Sequence, residues 1–172
     1  MIKFRKLQID EVEAFWNLLN QLDKETQFML YEPGEREKRG KSTEGLKRMI
    51  ESSIDGTDFL LIAEADQEIV GYIMAERGRL NRVSHRAYIV VGIREGYRGR
   101  GIGTEFFKRL ENWAKEQRLV RLELTVMCSN TSAKQLYEKN GFVVEGIKKK
   151  SMFVNGAYVD EYYMAKILET VR

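Results

Sequence analysis

A chain of 172 residues with 43% hydrophobic, 10% aromatic and 32% charged side chains can bury a substantial core as one domain spanning 1–172; neither a disordered tail nor a small disulfide scaffold has that composition. The 29 Lys and Arg against 26 Asp and Glu leave a formal charge of +3, scattered along the chain, which does not point to nucleic acid. One cysteine, Cys128, and one histidine, His85, exclude an intrachain disulfide and any standard metal cluster, while a polar amino end and the lack of an apolar run of ~18–20 residues predict a cytoplasmic protein with no membrane partner.

In chain order, Ile2, Phe4 and Leu7 alternate with Lys3, Arg5 and Gln8, as in a half-buried strand. Asp10 and Glu13 have capping-box spacing, and Val12, Phe15, Trp16, Leu19 and Leu22 form the apolar stripe of a helix. Residues 28–40, with Tyr31-Glu32-Pro33-Gly34-Glu35, carry turn chemistry without a period and predict a loop. Ser42 or Thr43 can then cap a short helix through Leu46, Met49 and Ile50. Segments 59–65 and 69–75, joined across Asp66-Gln67, and 85–93 predict a three-strand meander.

From Gly103 the period changes to that of a helix, with Phe106, Phe107, Leu110, Trp113 and Ala114 on one side. A strand at 120–126 follows, then a helix at 130–140 with Ala133, Leu136 and Tyr137 on one side and Gly141 closing it. A strand at 142–147 and a hairpin turned at Asn155-Gly156 lead into 157–167. Lys148-Lys149-Lys150 reads as a solvated edge that discourages further sheet pairing. The order predicts an α/β fold of the α+β kind: a central mixed sheet flanked by about four helices. The helix beginning at Gly103 obliges the fourth and fifth strands to be parallel.

The segment Tyr97-Arg98-Gly99-Arg100-Gly101-Ile102-Gly103-Thr104 lies between the end of a strand and the first turn of a helix. Its glycines let backbone N–H groups converge on phosphate oxygens, the helix dipole adds positive potential, and Arg98 and Arg100 add full charges. Several readings share this chemistry. A triphosphate loop would need Lys and Ser/Thr after Gly101, where Ile102-Gly103 stand. A dinucleotide fingerprint would need glycine at Thr104, although Glu123 lies about 20 residues on. A merely tight basic turn is the remaining possibility.

Arg98-x-x-Gly101-x-Gly103 in this setting resembles the acetyl-CoA pyrophosphate loop of the GCN5-related N-acetyltransferase (GNAT) superfamily. Asn130-Thr131-Ser132-Ala133 followed by Leu136-Tyr137-Glu138-Lys139-Asn140-Gly141-Phe142 is similar to the second cofactor segment of the same superfamily. The family's strand and helix order matches the one read above. The resemblance implies acetyl-CoA as cosubstrate, with Val91, Gly92 and Ile93 presenting backbone groups to its pantetheine arm where the fourth and fifth strands splay. It implies that Arg98, Gly99, Arg100, Gly101, Ile102, Gly103 and Thr104 hold the pyrophosphate. It also implies that Asn130 bonds the cofactor arm, that Ser132 and Lys139 reach its outer portions, and that Tyr137 sits near sulfur. The proline that often precedes such a loop is replaced here by Arg94-Glu95-Gly96, which leaves the entry angle of the loop open.

The chemistry suits those residues. An amine attacks a thioester when neutral, the developing oxyanion needs a donor such as a strand N–H, and a phenol such as Tyr137 can protonate the leaving thiolate. By spacing alone Tyr137 is equally a core aromatic and Asn130 equally a helix cap. No motif designates a general base: Glu32, Glu35, Glu64, Glu76 and Glu123 compete with a water relay. Cys128 lacks the basic setting of a nucleophile, so direct transfer is expected rather than a covalent enzyme intermediate. The stretch Asp160-Glu161-Tyr162-Tyr163-Met164 is similar to the branch of polyamine and ribosomal-protein N-terminal acetyltransferases. A polyamine, another small amine or a protein amino terminus are thus the acceptors in view, with a homodimer as the common state of such families. Carboxylates in the 28–40 loop would favour a cationic acceptor. The rivals are a non-catalytic CoA-binding regulatory domain and a nicotinamide-dependent oxidoreductase.

Overall fold

The computed structural model describes residues 1–169. Along the chain run β1 (Lys3–Arg5), α1 (Val12–Glu25), α2 (Glu35–Lys38), α3 (Glu44–Ile54), β2 (Phe59–Ala65), β3 (Glu68–Arg77), β4 (Arg86–Ile93), α4 (Ile102–Glu116), β5 (Arg121–Met127), α5 (Thr131–Lys139), β6 (Val143–Val154) and β7 (Ala157–Ile167). The strands form one 7-stranded sheet in the order β1-β2-β3-β4-β5-β7-β6. β4 and β5 are parallel, paired from Arg86↔Arg121 to Tyr88↔Glu123, as a helical crossover between neighbouring strands requires. That ladder is three residue pairs long. The pairs β1/β2, β2/β3, β5/β7 and β6/β7 are antiparallel. The mixed α/β class is as expected, and no described helix is long and apolar enough to cross a membrane.

The chain divides into two compact units, the first made of 1–76 and 90–106, the second of 77–89 and 107 onward. In the first, the apolar stripe of α1 (Phe15, Leu18, Leu19, Leu22) joins Leu46 and Ile50 of α3 and Leu60, Ile62 and Tyr72 of β2 and β3 in one buried cluster. Phe15 meets Tyr72 edge-on at 5.4 Å. In the second, Phe107 of α4, Tyr137 of α5 and Phe142 form an aromatic trio, with Phe107 5.6 Å from Tyr137 and 5.5 Å from Phe142. Such edge-to-face pairs add ~0.5–1.5 kcal/mol each beyond area burial.

Several local expectations are corrected. The capping interaction before α1 is two residues earlier than Asp10 and Glu13: Gln8 N–H donates to Glu11 Oε2 at 2.8 Å, at the head of a 3-10 turn over Ile9–Glu11. Thr43 stands at the N-cap of α3, but its side chain makes no capping bond. The 28–40 loop contains the one-turn helix α2, entered through Gly34 at φ +77°, so the described α-helices number one more than the four expected. β6 continues past Ile147 to Val154, with irregular register between Lys148 and Met152 and Lys150 at φ +48°. It is the edge strand, and the lysines lie exposed on it. Both two-residue turns have positive φ at each centre, Asp66-Gln67 at +50° and +66° and Asn155-Gly156 at +49° and +81°, the mirror-image geometry that suits strand twist.

Candidate functional site

In the first unit, the C-terminal end of β4 and the start of α4 are joined by the glycine-rich segment. A 3-10 turn at Glu95–Tyr97 replaces the missing proline as the entry device. It is anchored from α1: Glu95 N–H donates to Glu25 Oε2 at 2.8 Å, and Arg94 Nε donates to Glu25 Oε1 at 3.2 Å. Burial pushes the Glu25 carboxyl up, but the Glu95 N–H, Gln21 and Arg94 outweigh it and hold the group below the usual carboxylate range.

Gly99 and Gly101 have φ +71° and +80°, the left-handed region that costs other residues strain, and a Cβ on either would meet nothing within 4 Å. The first bond of the α4 ladder is Glu105 N–H to the Gly101 carbonyl at 3.1 Å. The backbone N–H groups from Gly99 through Thr104 donate to no acceptor among the described residues. Arg98 Nε returns to the Ile93 carbonyl at 3.0 Å, and Arg100 lies over the Tyr97 ring at 5.0 Å. The segment is therefore a row of unengaged main-chain donors at a helix N-terminus with two arginines beside it, which fits a diphosphate.

Val91, Gly92 and Ile93 lead into it. Gly92 is a site of close approach: a Cβ there would lie 2.7 Å from Leu22 Cδ1, 3.2 Å from Tyr72 Cε1 and 3.6 Å from Met29 Cε. The end of α1 and the chain just after it thus rest against β4.

In the second unit, Asn130 caps α5, its Oδ1 accepting from Ala133 N–H at 3.3 Å. Ser132 and Lys139 lie exposed on that helix. Gly141 at φ +90° ends it, with Phe142 N–H on the Tyr137 carbonyl at 3.0 Å. Tyr137 is 7% exposed, its ring held by Phe107 and Phe142. Its hydroxyl has no partner among the described residues and is not one of the occluded polar atoms. Burial pushes the Tyr137 phenol far above its ordinary value, with Tyr88 adding to the effect, so it stays protonated across the working range. Tyr88 itself shares a 2.8 Å hydrogen bond with Thr125 Oγ1.

The proposed carboxylate bases are mostly engaged. Arg5 holds Glu64 at 2.5 Å, Arg121 holds Glu123 at 2.6 Å, and Glu35 accepts from Arg39 at 2.8 Å and from Glu32 N–H at 3.0 Å. Glu32 and Glu76 lie exposed. Spacing gave no sign of Asp23 on α1, whose carboxyl is 1% exposed and accepts from Arg36 Nε at 2.5 Å. Its partner is 13 residues away across an irregular segment, beyond the reach of any helical or strand period. A carboxylate on the buried stripe of an amphipathic helix, next to Leu22, is the one signal that could have raised it.

A model of the acetyltransferase (GNAT) family matches residues 16–142. The L-amino acid N-acetyltransferase AaaT of Escherichia coli is 35% identical over 62% of the chain and 67% of its own length. The spermidine N(1)-acetyltransferase of the same species is 31% identical over 60% of the chain and 55% of its own length. Among solved structures, an acetyltransferase of Streptococcus pneumoniae superposes with a TM-score of 0.90 at 23% identity, over 98% of this chain and 100% of that one. The yncA protein of Salmonella typhimurium, solved with its cofactor acetyl-CoA, superposes at 0.83 with 16% identity over 98% and 94%.

Proposed function

The chain belongs to the acetyltransferase (GNAT) family and is an acetyl-CoA-dependent N-acetyltransferase, and from that premise we propose that, as one catalytic domain, it moves acetyl to the primary amine of a small molecule by direct attack. The observation that carries this reading is the row of unengaged N–H donors from Gly99 to Thr104. Acetyl-CoA supplies the activated acyl group. The loop donors, with Arg98 and Arg100, hold its diphosphate, and Asn130, Ser132 and Lys139 bind its arm and outer portions. Backbone N–H groups of Val91–Ile93 stabilise negative charge developing on the carbonyl oxygen. Tyr137, kept protonated by burial, gives its proton to the departing sulfur and regains one from the water that takes up the proton of the amine. The attacking amine loses its proton to water, since the candidate carboxylates are ion-paired or exposed. A reducing cytoplasm suits the free Cys128 thiol.

Relatives named for acetylating L-amino acids, spermidine and ribosomal-protein serine favour turnover over a CoA-binding regulatory role. The test is thermal stabilisation by acetyl-CoA and CoA against NAD and ATP, followed by an amine screen on wild type and Tyr137→Phe. We expect stabilisation by the CoA ligands alone, and a fall in kcat of about 10²–10³-fold in the variant at unchanged acetyl-CoA affinity. A preference for NAD, or a variant with undiminished kcat, overturns the corresponding assignment.

A further inference from the structure

The charge pair between α1 and α2 is built unlike one that serves stability alone. Asp23 is 1% exposed, and its only partner among the described residues is Arg36 Nε, bonded to Oδ2. Oδ1 is occluded and has no partner among the described residues. A guanidinium and a carboxylate satisfy each other best as a two-point fork, each giving two atoms. Here only one atom of each is used. The Arg36 side chain is 14% exposed, and its planar group lies 4.1 Å over the Tyr31 ring. Its Nη nitrogens have no partner among the described residues and are not among the occluded atoms. A guanidinium fixed by a buried carboxylate on one edge and an aromatic ring on one face, with its other edge open, is a preorganised receptor for a second carboxylate.

Its location connects it to acetyl transfer. Asp23 follows Leu22, and Tyr31 comes two residues after Met29; Leu22 and Met29, with Tyr72, are the side chains nearest to where a Cβ on Gly92 of β4 would stand. Of the loop carboxylates, Glu35 is occupied by Arg39 and Glu32 N–H, while Glu32 and Glu37 lie exposed.

Resting on the acetyl-transfer reading above, we propose that Arg36, oriented by Asp23 and Tyr31, binds the carboxylate of the acceptor, so that the substrate is a free amino acid rather than a polyamine or a protein amino terminus. Arg36 touches the acceptor; Asp23 and Tyr31 are positioning residues.

The experiment compares kcat/KM for a panel of L-amino acids with their amides, with spermidine and with a short peptide. Acid and amide share the amine and side chain and differ in the charge that Arg36 would read. The amide's amine is the more easily neutral, so intrinsic reactivity opposes the expected result. We expect the free acids to be favoured at least tenfold, mainly through KM. Because removing Arg36 alone strands a buried carboxylate, the variant is the pair Asp23→Asn with Arg36→Gln. In it the KM of the acid should rise about tenfold or more toward that of the amide. Equal use of acid and amide, a preference for spermidine or peptide, or an unchanged acid KM in the double variant overturns the role of Arg36 and leaves acetyl transfer standing. Failure of acetyl-CoA to stabilise the wild type overturns acetyl transfer itself.

Discussion

The glycine loop after β4 and the segment joining α1 to α3 lie in one compact unit and solve opposite problems. In the loop, main-chain donors are left unsatisfied and side chains are withdrawn: Gly99 and Gly101 open the backbone, and the N–H groups through Thr104 wait for an external acceptor. In the 23–36 segment the main chain closes on itself through α2 while recognition falls to side chains, with Asp23, Tyr31 and Arg36 locked together. The difference teaches that a ligand common to a whole class of enzymes can be read by backbone geometry, whereas one that varies among them must be read by residues free to change.

Three substitutions probe that division. The largest effect is expected at Asp23→Ala, which leaves Arg36 without its buried counter-charge and should lower unfolding free energy by about 3 kcal/mol, read from denaturant or thermal melts. A loss below 1 kcal/mol would mean that Arg36 turns to solvent without penalty and that the pair does not fix it. Next comes Gly101→Val. At φ +80° with open space around it, the cost is backbone strain of about 1–2 kcal/mol together with a side chain standing over the phosphate donors, so the Kd for acetyl-CoA should rise about tenfold or more by titration calorimetry. Gly96, whose φ is not in the left-handed region, provides the control: Gly96→Ala should leave that Kd unchanged, and equal effects at 96 and 101 would break the main-chain account.

The smallest effect is at Glu25, the tie between α1 and the loop entry. Its net shift places the folded pKa below the unfolded one. Its contribution is therefore fully present above the unfolded carboxylate value of ~4.3 and is lost as pH falls through the folded value. Glu25→Gln should cost about 1 kcal/mol at neutral pH and make the acid-side loss of stability shallower. A variant with the wild-type slope in acid would show that the tie contributes nothing there.

Much of this was readable from residue order, for reasons that differ along the chain. The strand at 59–65 and the helix bearing Phe106, Phe107, Leu110 and Ala114 follow from periodicity because a one-sided burial pattern leaves one in the sequence. The open loop follows from Gly99 and Gly101, since positive φ has a residue signature. Asn130 caps α5 as its position allows. The cap before α1 is not settled by spacing, because Asp10–Glu13 and Gln8–Glu11 satisfy the same interval, and a 3-10 turn selects the earlier pair. α2 is too short to leave a period. The Asp23–Arg36 contact depends on how an irregular segment returns to a helix, which no local rule encodes.

The row of unengaged donors between Gly99 and Thr104 has a consequence for descent and for engineering. Because these groups belong to the main chain, exchanging side chains around them does not remove them, provided the glycines stay. Acceptor preference rests on a few side chains carried by a different stretch of chain. A lineage, or a laboratory selection, can therefore rewrite what is acetylated through positions such as 23, 31 and 36 while inheriting the donor chemistry untouched.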